Sequence, residues 1–217
     1  MIAPNRRNFR PDLHLVTDRN LSRGRSLPDL VREAVAGGIS VVQLREKDCS
    51  TRDFLELARA LKNALIGTGV PLLINDRVDI ALAVDADGVH IGQQDMPYIS
   101  ARELLGPDAI IGLSVESAAD AEQAEKLDVD YLGLSPVFVT PTKAELTRQL
   151  GVAGVREIRC LSRHRLVAIG GIHAGNAADI LAAGADGIAV VSAICMADDP
   201  AAAARELSSY FRDAGAN

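Results

Sequence analysis

Residues 40–75 read SVVQLREKDCSTRDFLELARALKNALIGTGVPLLIN. The run from Ser40 to Arg45 is short and rich in β-branched and apolar residues, as a buried strand requires. Ser50 followed by Asp53 is an N-terminal helix signal, and Arg52 to Leu65 carries apolar residues at helical spacing. Gly67 stands where that helix should stop, and Leu72 to Asn75 forms a second strand-like run. Strand, helix and strand in this order make a βαβ unit, which implies a parallel sheet.

The same alternation extends in both directions and gives eight strand-helix pairs. The other strand candidates are Leu13 to Thr17, Gly88 to Gly92, Ile110 to Val115, Tyr131 to Ser135, Leu166 to Gly170 and Gly187 to Ser192. Helical patterns include Leu27 to Ala36, Ala118 to Leu127 and Asn176 to Ala183. Ser26 with Pro28 and Ser117 with Asp120 mark starts, while Gly37 and Gly184 mark stops. A weak echo recurs in Val84-Asp85-Ala86-Asp87-Gly88, Leu127-Asp128-Val129-Asp130-Tyr131 and Ala183-Gly184-Ala185-Asp186-Gly187, each at a helix-to-strand joint. Its spacing is that of a pair of βα units. Eight units in 217 residues predict a single-domain α/β protein, a (β/α)8 TIM barrel over residues 12–217. An open doubly wound sheet is the competing architecture, but Asp18-Arg19-Asn20 follows the first strand instead of a glycine-rich turn.

Composition excludes several classes. A formal charge of −6, no Trp and few aromatics argue against a nucleic-acid partner. No apolar run approaches the roughly 20 residues needed to span a bilayer, so no membrane partner is expected. Residues 1–11, with Arg6, Arg7 and Arg10, lack the apolar centre of a secretory signal and read as a flexible basic tail, consistent with a cytoplasmic protein. Cys49, Cys160 and Cys195 are odd in number and without metal-ligand spacing, so neither a disulfide framework nor a zinc site is expected. Leu- and Ala-rich helix faces are compatible with a homo-oligomer without identifying one.

Barrels carry their chemistry on the loops after the strands, so strand ends become the search list. Gln43, Arg45 and Lys47 occupy every second position and project to one side of an extended chain, where an amide and two cations suit phosphate oxygens. A solvated strand end is the alternative. Asn75-Asp76 and Asp95 follow adjacent strands, and two carboxylates beside cations suit Mg²⁺ held jointly with substrate phosphates. A helix cap for Asp76 and a surface charge for Asp95 are the other readings. His90 is either an inward pocket residue or a satisfied core histidine. Gly170-Gly171 and Val191-Ser192, after the seventh and eighth strands, suggest a second phosphate cradle. The long segment from Pro136 to Leu150, with Thr140-Pro141-Thr142-Lys143, has the length of a loop that closes over ligands, or of a surface excursion.

Taken in order, these segments resemble the thiamine-phosphate synthase family, also called thiamine-phosphate pyrophosphorylase. The resemblance runs from about Leu13 to Phe211 and rests on Leu15-Val16-Thr17-Asp18, Gln43-Leu44-Arg45-Glu46-Lys47-Asp48, Ile74-Asn75-Asp76-Arg77, Gly88 to Asp95, Ile111-Gly112-Leu113-Ser114, Thr140 to Lys143 and Ala168 to Ile172. It implies a (β/α)8 barrel joining a hydroxymethylpyrimidine diphosphate to a hydroxyethylthiazole phosphate with Mg²⁺, two phosphorylated heterocyclic substrates in all. Carried over, Gln43, Leu44, Arg45, Glu46, Lys47, Asn75, Ser114 and Lys143 would hold the pyrimidine diphosphate, with Arg45, Lys47, Ser114 and Lys143 catalytic. Asp76 and Asp95 would hold the metal; Thr140, Pro141, Thr142, Gly171, Val191 and Ser192 would hold the thiazole phosphate. His14 departs from the family, where many relatives have Tyr. The implied reaction is dissociative, with pyrophosphate leaving before the thiazole nitrogen attacks. A thiazole tautomerase and a non-catalytic sensor of thiamine precursors are the alternative readings.

Overall fold

The computed structural model describes residues 6, 9–139 and 149–212. Its elements alternate along the chain: β1 (Leu13–Val16), α1 (Leu27–Gly37), β2 (Val41–Leu44), α2 (Thr51–Leu65), β3 (Leu72–Asn75), α3 (Val78–Val84), β4 (Gly88–Ile91) and α4 (Tyr98–Leu105). They continue as β5 (Ile110–Val115), α5 (Ala118–Ala124), β6 (Tyr131–Leu134), α6 (Gly151–Leu161), β7 (Leu166–Ile169), α7 (Ala174–Ala182), β8 (Gly187–Val190), α8 (Ser192–Cys195) and α9 (Pro200–Arg212). The strands close in sequence order, and β8 pairs in parallel with β1, so the protein is a (β/α)8 barrel and not an open sheet.

Local chemistry accounts for the helix boundaries. Ser26, Ser50 and Ser117 each accept a hydrogen bond from the backbone N–H three residues on, satisfying one otherwise unpaired helix donor. Helix α1 runs through Gly37 and ends at Gly38, which takes the left-handed conformation at φ 111°. Helix α7 begins two residues before the predicted Asn176, because His173 caps it: its Nδ1 accepts from Gly175 N at 3.1 Å while Asn176 Oδ1 accepts from His173 N at 2.9 Å.

Alternation along each strand sorts the core into two layers. Leu13, Leu15, Val42, Leu44, Leu72 and Ile74 face outward into the helix layer. Val16, Val41, Leu73, Ile110, Tyr131, Val167 and Ala189 fill the interior together with Phe9. Phe9 closes the lower end of the barrel by stacking on Tyr131 at 5.5 Å between ring centroids. His14 lies edge-on to Tyr131 at 5.2 Å, and burial together with the neighbouring His90 lowers its pKa to about 3, so the imidazole is neutral. The loose-tail reading therefore does not extend to Phe9, nor to Arg6, whose guanidinium pairs with Asp128 and Asp130. Apolar burial and ion pairing hold these residues where composition alone suggested a free segment.

The echo in the sequence has a structural cause. Asp87, Asp130 and Asp186 precede β4, β6 and β8, and each accepts the first free N–H of the preceding strand, from Leu72, Ile111 and Leu166, at 2.8 Å in every case. Ser40 does the same before β2, accepting from Leu13 N at 2.9 Å. Each aspartate also meets a cation from an even-numbered helix: Lys62, Arg102 and Arg159 respectively. The repeat is thus a pair of βα units whose lower joint is pinned by one side chain. Asp130 is 6% exposed and binds Arg6, Arg102 and Ile111 N together. We expect Asp130→Ala to cost about 2–3 kcal/mol, since it orphans a buried N–H and takes one partner from each of two partly buried cations, Arg6 and Arg102. Denaturant unfolding measures this, and a cost below about 0.5 kcal/mol, typical of a surface change, would refute the pinning role.

Candidate active site

The upper end of the barrel opens into a cavity of about 500 Å³ lined from nearly every strand end. The barrel ladder continues beyond the formal end of β2: Thr17 N donates to Gln43 O at 2.9 Å, and Arg45 N donates to Thr17 Oγ1 at 3.2 Å. This preserves the two-residue period, so Gln43, Arg45 and Lys47 all reach the cavity wall. Leu44 and Glu46, between them, do not. Leu44 is buried in the helix layer, while Glu46 turns into a neighbouring polar groove and pairs with Arg19 at 2.6 Å.

Asn75 and Asp76 come from β3, and Asp95 from the loop after β4. Asp76 is left-handed at φ 62°, an uncommon conformation for a residue other than glycine, fixed as its N–H donates to His90 O at 2.8 Å. It does not cap α3, whose first flanking residue is Arg77 and which has no side-chain cap. Its carboxylate instead meets Lys47 Nζ at 2.5 Å and faces Asp95. Asp95 Oδ2 accepts from Gly92 N at 2.7 Å. Burial acts to raise the Asp76 pKa, but Lys47 and the facing Asp95 outweigh it and hold the group below the usual carboxylate range. Asp95 moves the other way, raised by burial and by the facing Asp76. Two carboxylates therefore converge beside a cation, which is neither a helix cap nor an isolated surface charge.

On the opposite side, Gly170 and Gly171 turn with φ 105° and 63°. A Cβ on Gly171 would sit 2.8 Å from Val139 O, so this close approach needs glycine. Asn176 Nδ2 ties the turn by donating to Gly171 O at 2.9 Å. Val191 and Ser192 line the same wall. Thr140, Pro141, Thr142 and Lys143 lie outside the described residues. The flanks of their segment are anchored at this wall: Val137 N and Phe138 N donate to Ile169 O and Gly170 O, and Gly151 N donates to Val137 O.

Ser114 at the end of β5 and His90 at the end of β4 complete the wall. His90 is both of the things the sequence allowed, a cavity residue and a hydrogen-bonded one: Nδ1 lies 2.9 Å from Tyr131 Oη and Nε2 2.8 Å from Ser114 Oγ. The sequence reading does not assign a role to Tyr131, Thr17 or Gln93, whose Nε2 donates to Ser114 O at 2.6 Å. Inward glycines were the available signal for Tyr131 and His90. A Cβ on Gly112 would meet the Tyr131 ring at 2.1 Å, and one on Gly133 would meet the His90 ring at 2.7 Å.

A closed parallel barrel with cations, paired carboxylates and a glycine turn at its C-terminal mouth is the arrangement of a (β/α)8-barrel enzyme acting on phosphorylated ligands. A family model described as thiamine monophosphate synthase matches residues 13–194. A thiamine-phosphate synthase from Albidiferax ferrireducens is 55% identical over 90% of this chain and 89% of its own. One from Syntrophomonas wolfei is 54% identical over 92% and 95%. The solved thiamine phosphate pyrophosphorylase from Pyrococcus furiosus superposes with a TM-score of 0.85 at 40% identity, covering 94% of this chain and 96% of that one. The chain belongs to the thiamine monophosphate synthase family. It is a transferase of the thiamine-phosphate synthase kind. A 3-hexulose-6-phosphate synthase, at 17% identity and TM-score 0.69, shares the fold alone.

Proposed function

We propose that the protein condenses 4-amino-2-methyl-5-(diphosphooxymethyl)pyrimidine with 4-methyl-5-(2-phosphooxyethyl)thiazole, releasing pyrophosphate and forming thiamine phosphate. One observation carries the reading. A single cavity sets Arg45, Lys47, Asp76 and Asp95 on one side and the Gly170-Gly171 turn with Val191 and Ser192 on the other, leaving space between two phosphate-binding walls.

The residues support a dissociative course. The bond between the pyrimidine methylene and the diphosphate oxygen breaks, and the electron pair leaves with pyrophosphate. Arg45 binds those oxygens with a planar fork of donors and Lys47 with a compact charge. Ser114 and Asn75 donate neutral hydrogen bonds nearby, and Lys143 is assigned the third cation of this set. The thiazole nitrogen lone pair then forms the new C–N bond, while Gly171, Val191 and Ser192, with Thr140, Pro141 and Thr142, hold the thiazole phosphate. No protein nucleophile takes part; positioning and exclusion of water do the work.

Asp76 and Asp95 fit Mg²⁺. Burial and the facing Asp76 raise the pKa of Asp95, and a cation beside the pair would relieve that repulsion. Among the described residues no group of three or more His, Cys, Asp and Glu forms a closed cage, which suits an ion completed by water and substrate oxygens. When bound, Mg²⁺ supplies charge neutralisation to the departing diphosphate. A tautomerase or a sensor has no use for this carboxylate pair. The condensing enzyme is also read as cytoplasmic; among the described residues no helix is long and apolar enough to cross a membrane.

Arg45→Ala tests the division between the two walls. Calorimetric titration with each substrate separately should show a tenfold to hundredfold weaker affinity for the pyrimidine diphosphate, about the worth of a charged hydrogen bond. Affinity for the thiazole phosphate should stay within about twofold. An equal fall in both would reject the assignment.

A further inference from the structure

Thr17 follows β1, borders the cavity and is 0% exposed. Both of its hydrogen bonds face β2. In a regular parallel ladder, the residue that donates its N–H to one position of the neighbouring strand also accepts, through its carbonyl, from the residue two further along. Thr17 keeps the first half of this pattern, its N–H donating to Gln43 O at 2.9 Å. The second half is replaced: Arg45 N donates to Thr17 Oγ1 at 3.2 Å instead of to the carbonyl. The path of the chain explains the exchange. Asp18 Oδ1 accepts from Asn20 N at 2.9 Å and from Leu21 N at 3.3 Å, starting a short 3-10 turn over Arg19–Leu21 that ends the extended run of β1. A side chain therefore supplies the rung that the backbone no longer offers.

This rung matters because Arg45 has little else to hold it. Lys47 is seated by Asp76 at 2.5 Å and Glu46 by Arg19 at 2.6 Å. Among the described residues the Arg45 guanidinium makes neither an ion pair nor a hydrogen bond. Its place in the cavity wall is thus set through its backbone, and Thr17 Oγ1 is the atom that fixes this backbone where β2 gives way to the loop. Small displacements of a binding group weaken its contacts steeply, so the aim of the fork depends on that one oxygen.

We propose that Thr17 is a positioning residue for the pyrimidine diphosphate: its hydroxyl oxygen, standing in for a strand carbonyl, fixes the backbone of Arg45 and so aims the guanidinium at the departing phosphates. The ligand rests on the function proposed above; the bond between Thr17 and Arg45 does not, and amide exchange reads it without substrate.

Thr17→Val keeps the shape of the side chain and removes the acceptor, whereas Thr17→Ser keeps the acceptor. Calorimetric titration of Thr17→Val should show affinity for the pyrimidine diphosphate weakened about tenfold, the worth of one oriented hydrogen bond, with affinity for the thiazole phosphate within about twofold. Thr17→Ser should recover most of that loss. Introduced into Arg45→Ala, Thr17→Val should cause no further loss, because no guanidinium is left to aim. Hydrogen exchange at the Arg45 amide should quicken about tenfold in Thr17→Val and stay near the wild-type rate in Thr17→Ser. Should Thr17→Val fold poorly, Thr17→Ala removes the same oxygen without setting a methyl against Arg45 N, and is read in the same way. Wild-type affinity in Thr17→Val, equal losses in Thr17→Val and Thr17→Ser, a loss that persists in Arg45→Ala, or Arg45 exchange unchanged by Thr17→Val would each overturn the proposal. A wild type that forms no thiamine phosphate would refute the function, and amide exchange would then decide the positioning of Arg45.

Discussion

Asp76→Ala and Asp95→Ala are each expected to slow turnover on the order of 100- to 1,000-fold, the usual cost of removing a group that stabilises a charged transition state. Backbone conformation and charge are concentrated at one point. Asp76 holds φ 62°, faces Asp95 and touches Lys47, and the proposed Mg²⁺ and diphosphate would draw on all three features. A control separates backbone from charge. Asn tolerates the left-handed conformation that Ala resists, so Asp76→Asn should fold as the wild type does yet lose turnover like Asp76→Ala. In both alanine variants the residual rate should respond only weakly to Mg²⁺. Kinetics indistinguishable from the wild type across a magnesium titration would remove the metal assignment.

Gly112→Ala is expected to cost about 3 kcal/mol of stability or more, at the upper end for overpacking a core. Its Cβ would lie 2.1 Å from Tyr131 Cζ, far inside contact distance. The ring has no escape, since Phe9, His14 and His90 pack around it at 5.5, 5.2 and 5.4 Å. Any shift of Tyr131 is passed to His90 and so to Ser114, and activity should fall with stability. The denaturant midpoint measures the first effect; a loss below about 1 kcal/mol would show that the interior repacks.

Much of the fold was legible because hydrophobic period and turn chemistry agree throughout the chain. The Ser40 to Asn75 unit appears as read, and the serine caps at Ser26, Ser50 and Ser117 form as read. Even the weak aspartate echo proved to mark the strand joints that it pins. The site was legible where strand ends could be combined with alternation, which brings Gln43, Arg45, Lys47, Asn75, Asp76, Asp95, Ser114, Gly171, Val191 and Ser192 to one cavity. It was less legible where a contiguous motif was carried over whole. Leu44 and Glu46 belong to that motif, but a pleated chain turns every second residue away. Contacts between residues distant in sequence were hidden. Nothing local announces that Phe9 plugs the barrel, that Tyr131 supports His90, or that Asp76 adopts a positive φ, since each depends on what closure of the barrel brings alongside.

In the proposed reaction one cavity joins two phosphorylated heterocycles as pyrophosphate departs. Incubating the purified protein with the pyrimidine diphosphate, the thiazole phosphate and Mg²⁺, and following products by chromatography, tests it most directly. Thiamine phosphate and pyrophosphate should appear in equal amounts, and neither should form at a catalysed rate when either substrate or Mg²⁺ is left out. Conversion of the thiazole phosphate alone, or binding of both substrates without any thiamine phosphate, would contradict it.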